Sequence, residues 1–251
     1  MKVRSTPWDD HNLGVSTIEV RIEALDAIME INRVISSLVE NFQIIRVPTS
    51  RLDVNLLLSR LGFYFSESLF RLDANVNSLG QSALGQVAKR DVTIEAADKN
   101  HLENLRKEIL GLLFRSDRIS LDPSELRSRS GIRYWNWICD EIARGATVRI
   151  LRSPKRELGF FTFRKLNDQS AEVALSGTFG DKTSPTAGLL LQNAILETCY
   201  RENVRLLKSS ISSNNISAIR VCLAAGYEIV DCEYVFTRNS LAEISSASGR
   251  I

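Results

Sequence analysis

Asn215-Ile216-Ser217-Ala218-Ile219-Arg220-Val221-Cys222-Leu223-Ala224-Ala225-Gly226 reads as a helix over residues 216–225, headed by Asn215 and ended by Gly226. Two runs with strand character bracket it, 204–209 before and 229–237 after. Further back, residues 188–202 read as a helix behind a loop at 178–187. Three strand candidates precede that loop, at 147–152, 158–166 and 170–177. Before them come two helices. One spans 97–114, with Leu102, Leu105, Ile109 and Leu112-Leu113 at helical spacing. The other spans 124–143; its Tyr134, Trp135, Trp137 and Ile138 make one face strongly apolar, and Gly145 stops it. A polar loop with Asp117, Asp122 and Pro123 joins them, and Val92-Thr93-Ile94-Glu95 is a strand candidate in front. The order is strand, two helices, three strands, helix, strand, helix, strand.

The first part of the chain is a separate pattern. It opens with Pro7-Trp8-Asp9-Asp10. Residues 15–22 alternate as a strand through Ile18, Val20 and Ile22. A helix is predicted over 25–38, a strand over 42–47 ahead of Pro48, a helix over 53–61 closed by Gly62, and a strand over 63–72. This is a small β-α-β-α-β unit. Residues 75–89, rich in Asn, Ser, Gly and Gln, suit a linker, and residues 239–251 form a Ser/Ala tail expected to be flexible. The predicted division is an α/β domain at 1–85, a second domain at 91–238, and the tail.

Bulk properties exclude several classes. A net charge of +2 over 251 residues, 44% hydrophobic and 25% charged, gives no basis for bulk binding to nucleic acid or to an anionic membrane. No stretch is apolar enough to span a bilayer, and no apolar signal core follows Met1-Lys2-Val3-Arg4-Ser5, so a cytoplasmic location is expected. Cys139, Cys199, Cys222 and Cys232 form no Cys-x-x-Cys pair, and with only His11 and His101 beside them no metal is expected.

The element order of the second part, with a phosphate-type loop after its third meander strand, resembles the GNAT superfamily of N-acetyltransferases. Within it the likeness is to the branch that acetylates dTDP-linked fucosamine (dTDP-4-amino-4,6-dideoxygalactose). Five places carry it: Trp8-Asp9 with Gly14; Leu61-Gly62-Phe63; Arg118 through Asp122-Pro123; Tyr134-Trp135-Asn136-Trp137-Ile138; and Asn215 through Gly226. The resemblance implies an α+β fold, the acyl-CoA N-acyltransferase (GNAT) fold, with a mixed, mostly antiparallel central sheet preceded by the smaller α/β unit. It implies acetyl-CoA as co-substrate and the amine of a nucleotide-linked amino sugar as acceptor, in surface polysaccharide synthesis. A homodimer is one arrangement the N-terminal unit could serve. Another small amine or a protein amine as acceptor, or a homologue that binds CoA or a sugar nucleotide without turnover, are the competing readings.

A thioester is already an activated acyl donor; the protein must hold it beside a neutral amine and stabilise the oxyanion formed on attack. Splayed strands expose backbone groups that can grip the pantetheine arm, here expected near Leu175, Ser176 and Gly177. The pyrophosphate would meet the N-terminus of the following helix. There the family's spaced glycines are replaced by Ser184-Pro185-Thr186-Ala187-Gly188-Leu189, which also reads as an ordinary Ser-Pro helix start. By resemblance Asn215 binds CoA, and it can be a plain cap as well. The family's proton-donating Tyr, seven residues after that Asn, corresponds to Cys222. A thiol, with a reference pKa of about 8.5 against about 10 for a phenol, can donate; a small buried Cys is the alternative. Tyr134, Tyr200, Tyr227 and Tyr234 are other donors, and Asp122, Glu141 and His11 are candidate bases. The acceptor is expected against the helix pair, touching Arg118, Asp122 and Tyr134. Arg115, Arg127, Arg129 and Arg133 either match a diphosphate or form a solvated face. Trp135 and Trp137 must diverge, so one of them could stack on a sugar or base.

Overall fold

The computed structural model describes residues 1–76, 92–111, 113–180 and 185–240. In chain order the first elements are β1 (Lys2–Ser5), α1 (Pro7–Leu13), β2 (Thr17–Arg21), α2 (Ile28–Ser36), β3 (Phe42–Pro48), α3 (Leu52–Arg60) and β4 (Tyr64–Asn75). Then come β5 (Thr93–Ala96), α4 (Lys99–Leu110), a 3-10 turn (Glu125–Arg129), α5 (Ser130–Ala143), β6 (Thr147–Ser153), β7 (Arg156–Lys165), β8 (Ser170–Glu172) and β9 (Ser176–Thr178). The last are α6 (Pro185–Arg201), β10 (Leu206–Ser212), α7 (Ile216–Ala224) and β11 (Glu228–Asn239).

The strands make one sheet in the order β1-β2-β3-β11-β4-β10-β8-β7-β6-β5, with β9 beside β7. Among the described residues only β2/β3 and β10/β8 pair in parallel. The sheet is therefore mixed and mostly antiparallel. Two long strands interleave the halves of the chain. β4 lies between β10 and β11, with Leu72 opposite both Ser209 and Ile229, and β11 lies between β3 and β4. Glu233 of β11, its side chain 7% exposed, ties this seam, pairing with Arg21 of β2 at 2.5 Å and Arg71 of β4 at 3.2 Å.

Each face of the sheet is covered by helices with apolar stripes. α2 and α3 bury Ile31, Ile35, Val54 and Leu58 against Val20, Ile45 and Val47. On the opposite side Leu13, Ile119 and Leu126 meet Phe42, Ile44 and Val235. α4 and α5 set Leu105, Ile109 and Ile138 on Ile150 and Phe160, and α6 and α7 cover Leu207, Leu72 and Phe161. Asp98 caps α4 by accepting from the His101 N–H at 2.9 Å, and Asn215 caps α7 by accepting from the Ala218 N–H at 3.1 Å. Gly62 and Gly226 end α3 and α7 at φ 80° and 91°, a left-handed backbone that favours glycine.

Several expectations are corrected. The strand predicted over 170–177 is two short strands, β8 and β9, both antiparallel to β7 but offset by one residue in register, and of the two β8 alone also pairs with β10. The helix predicted over 124–143 begins as the 3-10 turn, where Ser124 Oγ accepts from the Leu126 N–H. β1 and α1 are additions; four and seven residues carry too little periodicity, although Pro7 at the helix start and Gly14 at φ 72° frame α1. The linker at 75–89 falls mostly on 77–91, and the tail on 241–251, both outside the described residues.

Candidate functional site

β8 follows β10 only as far as Glu172, opposite Lys208. The last ties are the Val173 N–H donating to Lys208 O at 3.1 Å and Ser209 Oγ donating to Val173 O at 3.1 Å. Beyond them β10 runs on to Ser212 beside β4, while β9 pairs with β7. Leu175 is pulled to β7: its N–H donates to Thr162 Oγ1 at 3.0 Å and its carbonyl accepts from the Thr162 N–H at 2.8 Å. The Phe179 N–H likewise donates to Leu158 O. Because in-plane groups alternate along a strand, those of Ser176 point away from β7, toward the gap with β10.

A cavity of about 860 Å³ joins this gap to the space under α1 and α5. Leu175, Ser176, Asn215 and Cys222 line one end, and Arg118 and Tyr134 the other. These are six of the residues singled out from sequence. Most of the other cofactor and acceptor candidates lie elsewhere. Gly177 faces away, where a Cβ would sit 3.1 Å from Leu113 Cδ2 and 3.3 Å from Phe160 Cε1. Gly188 serves helix packing, since a Cβ there would come within 3.2 Å of Val221 Cγ2. Thr186, Ala187 and Leu189 stand in the first turn of α6, which Pro185 opens, and Ser184 is outside the described residues.

Asp122 does not line the cavity. It is 2% exposed. Its Oδ1 accepts from the Ser124 N–H at 2.9 Å and from Asn239 Nδ2 at 3.2 Å, and its Oδ2 accepts from Tyr64 Oη at 2.9 Å. These bonds turn it into a tie between β4, β11 and the 3-10 turn. Among the candidate bases, Glu141 is buried between Arg164 at 3.0 Å and Arg144 at 3.3 Å, and His11 is exposed on α1. Arg133 lines the cavity, and Arg115, Arg127 and Arg129 do not.

Of the candidate proton donors, Cys222, Tyr227 and Tyr134 reach the cavity, whereas Tyr200 and Tyr234 do not. Burial pushes the Cys222 thiol up to about 12, so it is protonated at neutral pH. Tyr227 is buried too, raised well above the ordinary phenol value, and donates to Gln192 Oε1 at 2.9 Å. The Tyr134 phenol is raised first by burial and then by its neighbour Asp117, to which it is hydrogen-bonded. Burial alone would raise the Asp117 carboxyl, but bonds from Ser120, Tyr134 and the Ile119 N–H hold it below the ordinary carboxylate range. The two tryptophans do diverge: Trp137 lines the cavity, stacked on Tyr134 with centroids 6.1 Å apart, and Trp135 does not.

The end lined by Arg118 and Tyr134 also holds residues to which the sequence had assigned no role. Asp9 of α1 accepts from Arg133 Nε at 2.9 Å, and Arg133 lies over the Trp8 ring. Glu67 of β4 is 1% exposed and accepts from Arg118 Nη1 at 3.0 Å. A glutamate in strand register with the apolar Phe63 and Leu69 was the available signal.

No protein-family model matches this sequence, and no curated protein matches it. Solved structures do. A conserved protein of unknown function from Staphylococcus epidermidis aligns over 89% of this chain and 84% of its own, at 14% identity and a TM-score of 0.61. A GCN5-related N-acetyltransferase from Sphaerobacter thermophilus aligns over 95% and 76%, at 11% identity and a TM-score of 0.58. A tandem GNAT protein from the clavulanic acid biosynthesis pathway aligns over 89% and 75%, at 13% identity and a TM-score of 0.54. The chain therefore has the α+β fold of the GCN5-related N-acetyltransferases.

Proposed function

We propose that this chain is an acetyl-CoA-dependent N-acetyltransferase whose acceptor is the amine of a nucleotide-linked amino sugar, with dTDP-linked fucosamine the first substrate to try. The observation that carries it is the parting of β9 from β10 after Val173, which turns Ser176 backbone groups into a gap continuous with a large polar cavity. Acetyl-CoA supplies the activated acyl group. The residues present fit it. Ser176 offers main-chain groups to an extended arm, and the first turn of α6 carries no acidic side chain to repel a pyrophosphate. In this reading the Ser176 N–H also faces developing negative charge, while Cys222 or Tyr227 returns a proton to the departing sulfur. Arg118 and Tyr134 stand at the acceptor end.

The sugar-nucleotide acceptor draws support from Arg4 and Lys208. Both are exposed, both line the cavity, and neither belongs to an ion pair among the described residues. Such cations suit a diphosphate. The N-terminal part, predicted as a domain at 1–85, is proposed to wall the acceptor side while sharing its sheet with the rest of the chain, in a cytoplasmic protein that could dimerise; among the described residues no helix is long and apolar enough to cross a membrane. One observation favours the second reading, a binder without turnover: the Tyr227 proton is already committed to Gln192.

The test is a thiol-release screen over nucleotide-linked amino sugars with acetyl-CoA, run beside Cys222→Ala and Asn215→Ala. Thiol release that depends on the amino sugar supports the enzyme. Tight CoA binding without release supports the binder. An unchanged rate for Cys222→Ala across pH removes Cys222 as donor and leaves Tyr227 or water.

A further inference from the structure

We propose that Glu67 and Arg118 together form the subsite for the acceptor amine, and that this subsite selects an amine flanked by a hydroxyl. The proposal rests on the transferase reading and specifies its acceptor end. Glu67 comes from β4, in the N-terminal part of the chain, and Arg118 from the loop between α4 and the 3-10 turn. Only half of the pair is satisfied. Glu67 Oε1 accepts from Arg118 Nη1, but Glu67 Oε2 and Arg118 Nε are both buried with no hydrogen-bond partner. Both residues line the cavity.

A buried polar atom left unpaired keeps its desolvation cost uncompensated, so a ligand that supplies the missing partner is favoured. The two idle atoms are one acceptor and one donor. They ask for an N–H and, close beside it, an oxygen lone pair. A vicinal amino alcohol presents that set on adjacent carbons: once the two side chains turn toward the cavity they line, its nitrogen donates to Glu67 Oε2 and its oxygen accepts from Arg118 Nε. The surrounding charge agrees. Over the whole lining eight carboxylates face seven Arg and Lys side chains, an excess of one negative charge that an arriving ammonium neutralises. Asp122, the other carboxylate nearby in sequence, is fully engaged elsewhere.

The test uses trans-2-aminocyclohexanol, which carries the amine and hydroxyl on a ring, against cyclohexylamine and cyclohexanol, by ligand-observed NMR with CoA present. The full chain is expected to bind the amino alcohol at least about tenfold more tightly than either relative, the discrimination shown by sites built to bond a polar group. Glu67→Gln, which keeps the shape, is expected to abolish that preference with its melting temperature within a few degrees of the unmodified protein. Equal binding of the three probes to the unmodified protein overturns the proposal without recourse to any variant, as does an undiminished preference in Glu67→Gln. Calorimetry of CoA on the same samples reports the transferase reading separately. Absence of CoA binding sinks that reading, while CoA binding with no amino-alcohol preference sinks only the subsite.

Discussion

The two ends of the cavity are built from different materials. The cleft end is opened by main chain: β9 and β10 part, and the groups offered to the gap belong to the backbone of Ser176, with Asn215 and Cys222 beside it. All of it comes from residues after 91. The acceptor end is made of side chains, and they come from both halves of the chain: Trp8, Asp9 and Glu67 from the first, Asp117, Arg118, Arg133 and Tyr134 from the second. Backbone recognition tolerates sequence drift, because any residue carries an N–H and a C=O. Side-chain recognition does not, and a chain can change it by drifting. A common end for a common cofactor, with a particular end for a particular acceptor, is what this division would produce.

The comparison can be broken most sharply at Ser176. Ser176→Pro removes the one N–H proposed to face the reacting carbonyl while leaving the bonds that Leu175 makes to β7 intact. Thiol release is expected to fall by about 10²–10³, the loss seen when an oxyanion donor is deleted, with an unchanged circular dichroism spectrum. A smaller loss would mean the cleft does not work through main chain. Next in size is the seam that brings the two halves together. Glu233→Ala leaves Arg21 and Arg71 without their shared carboxylate, and chemical denaturation should show a loss of ~2 kcal/mol, below that of a fully buried pair because both arginines are partly exposed. Gly188→Val should cost about 1–2 kcal/mol by forcing α6 off Val221, and should weaken CoA binding in calorimetry while sparing the acceptor end. Asn215→Ala removes the cap of α7 and should cost about 1 kcal/mol; an additional rise in the KM for acetyl-CoA would mark Asn215 as a cofactor ligand as well.

The smallest effect is in the alkaline limb of stability. Burial pushes the folded thiol of Cys222 up to about 12, above its value in the unfolded chain. Above pH 9 the unfolded chain loses that proton before the folded one does. The stability from this thiol is therefore complete below about 9 and declines as pH rises toward 12. Cys222→Ala should show a shallower fall of melting temperature between pH 9 and 10.5. If the two slopes coincide, the thiol is not held in a dry site.

How much of this was legible in the sequence differs between the ends in the same way. The helix starting at Asn215, its stop at Gly226, and the order of strands and helices before them were readable, because each is fixed by neighbours within a few residues. The position of the cleft near Leu175 followed from that order. Its mechanism did not. A single strand was expected over 170–177, and the break at Val173 depends on Thr162, on another strand, offering its backbone and hydroxyl to Leu175. Asp122 and Tyr134 lie within twelve residues of each other and looked equivalent as acceptor ligands. Asn239 and Tyr64, remote in sequence, draw Asp122 into a structural knot, while Tyr134 stays at the cavity.

By itself the sequence determined the local elements: capped helices, alternating strands and the glycines that end them, since hydrogen-bond periodicity and capping act over a single turn. Only the tertiary structure decided that β4 slips between β10 and β11, and with it that Glu67 meets Arg118 across 51 residues. The reason is physical. Which strand fills a place in a sheet depends on the summed burial and pairing of both flanking strands, and no short stretch of either one carries that sum.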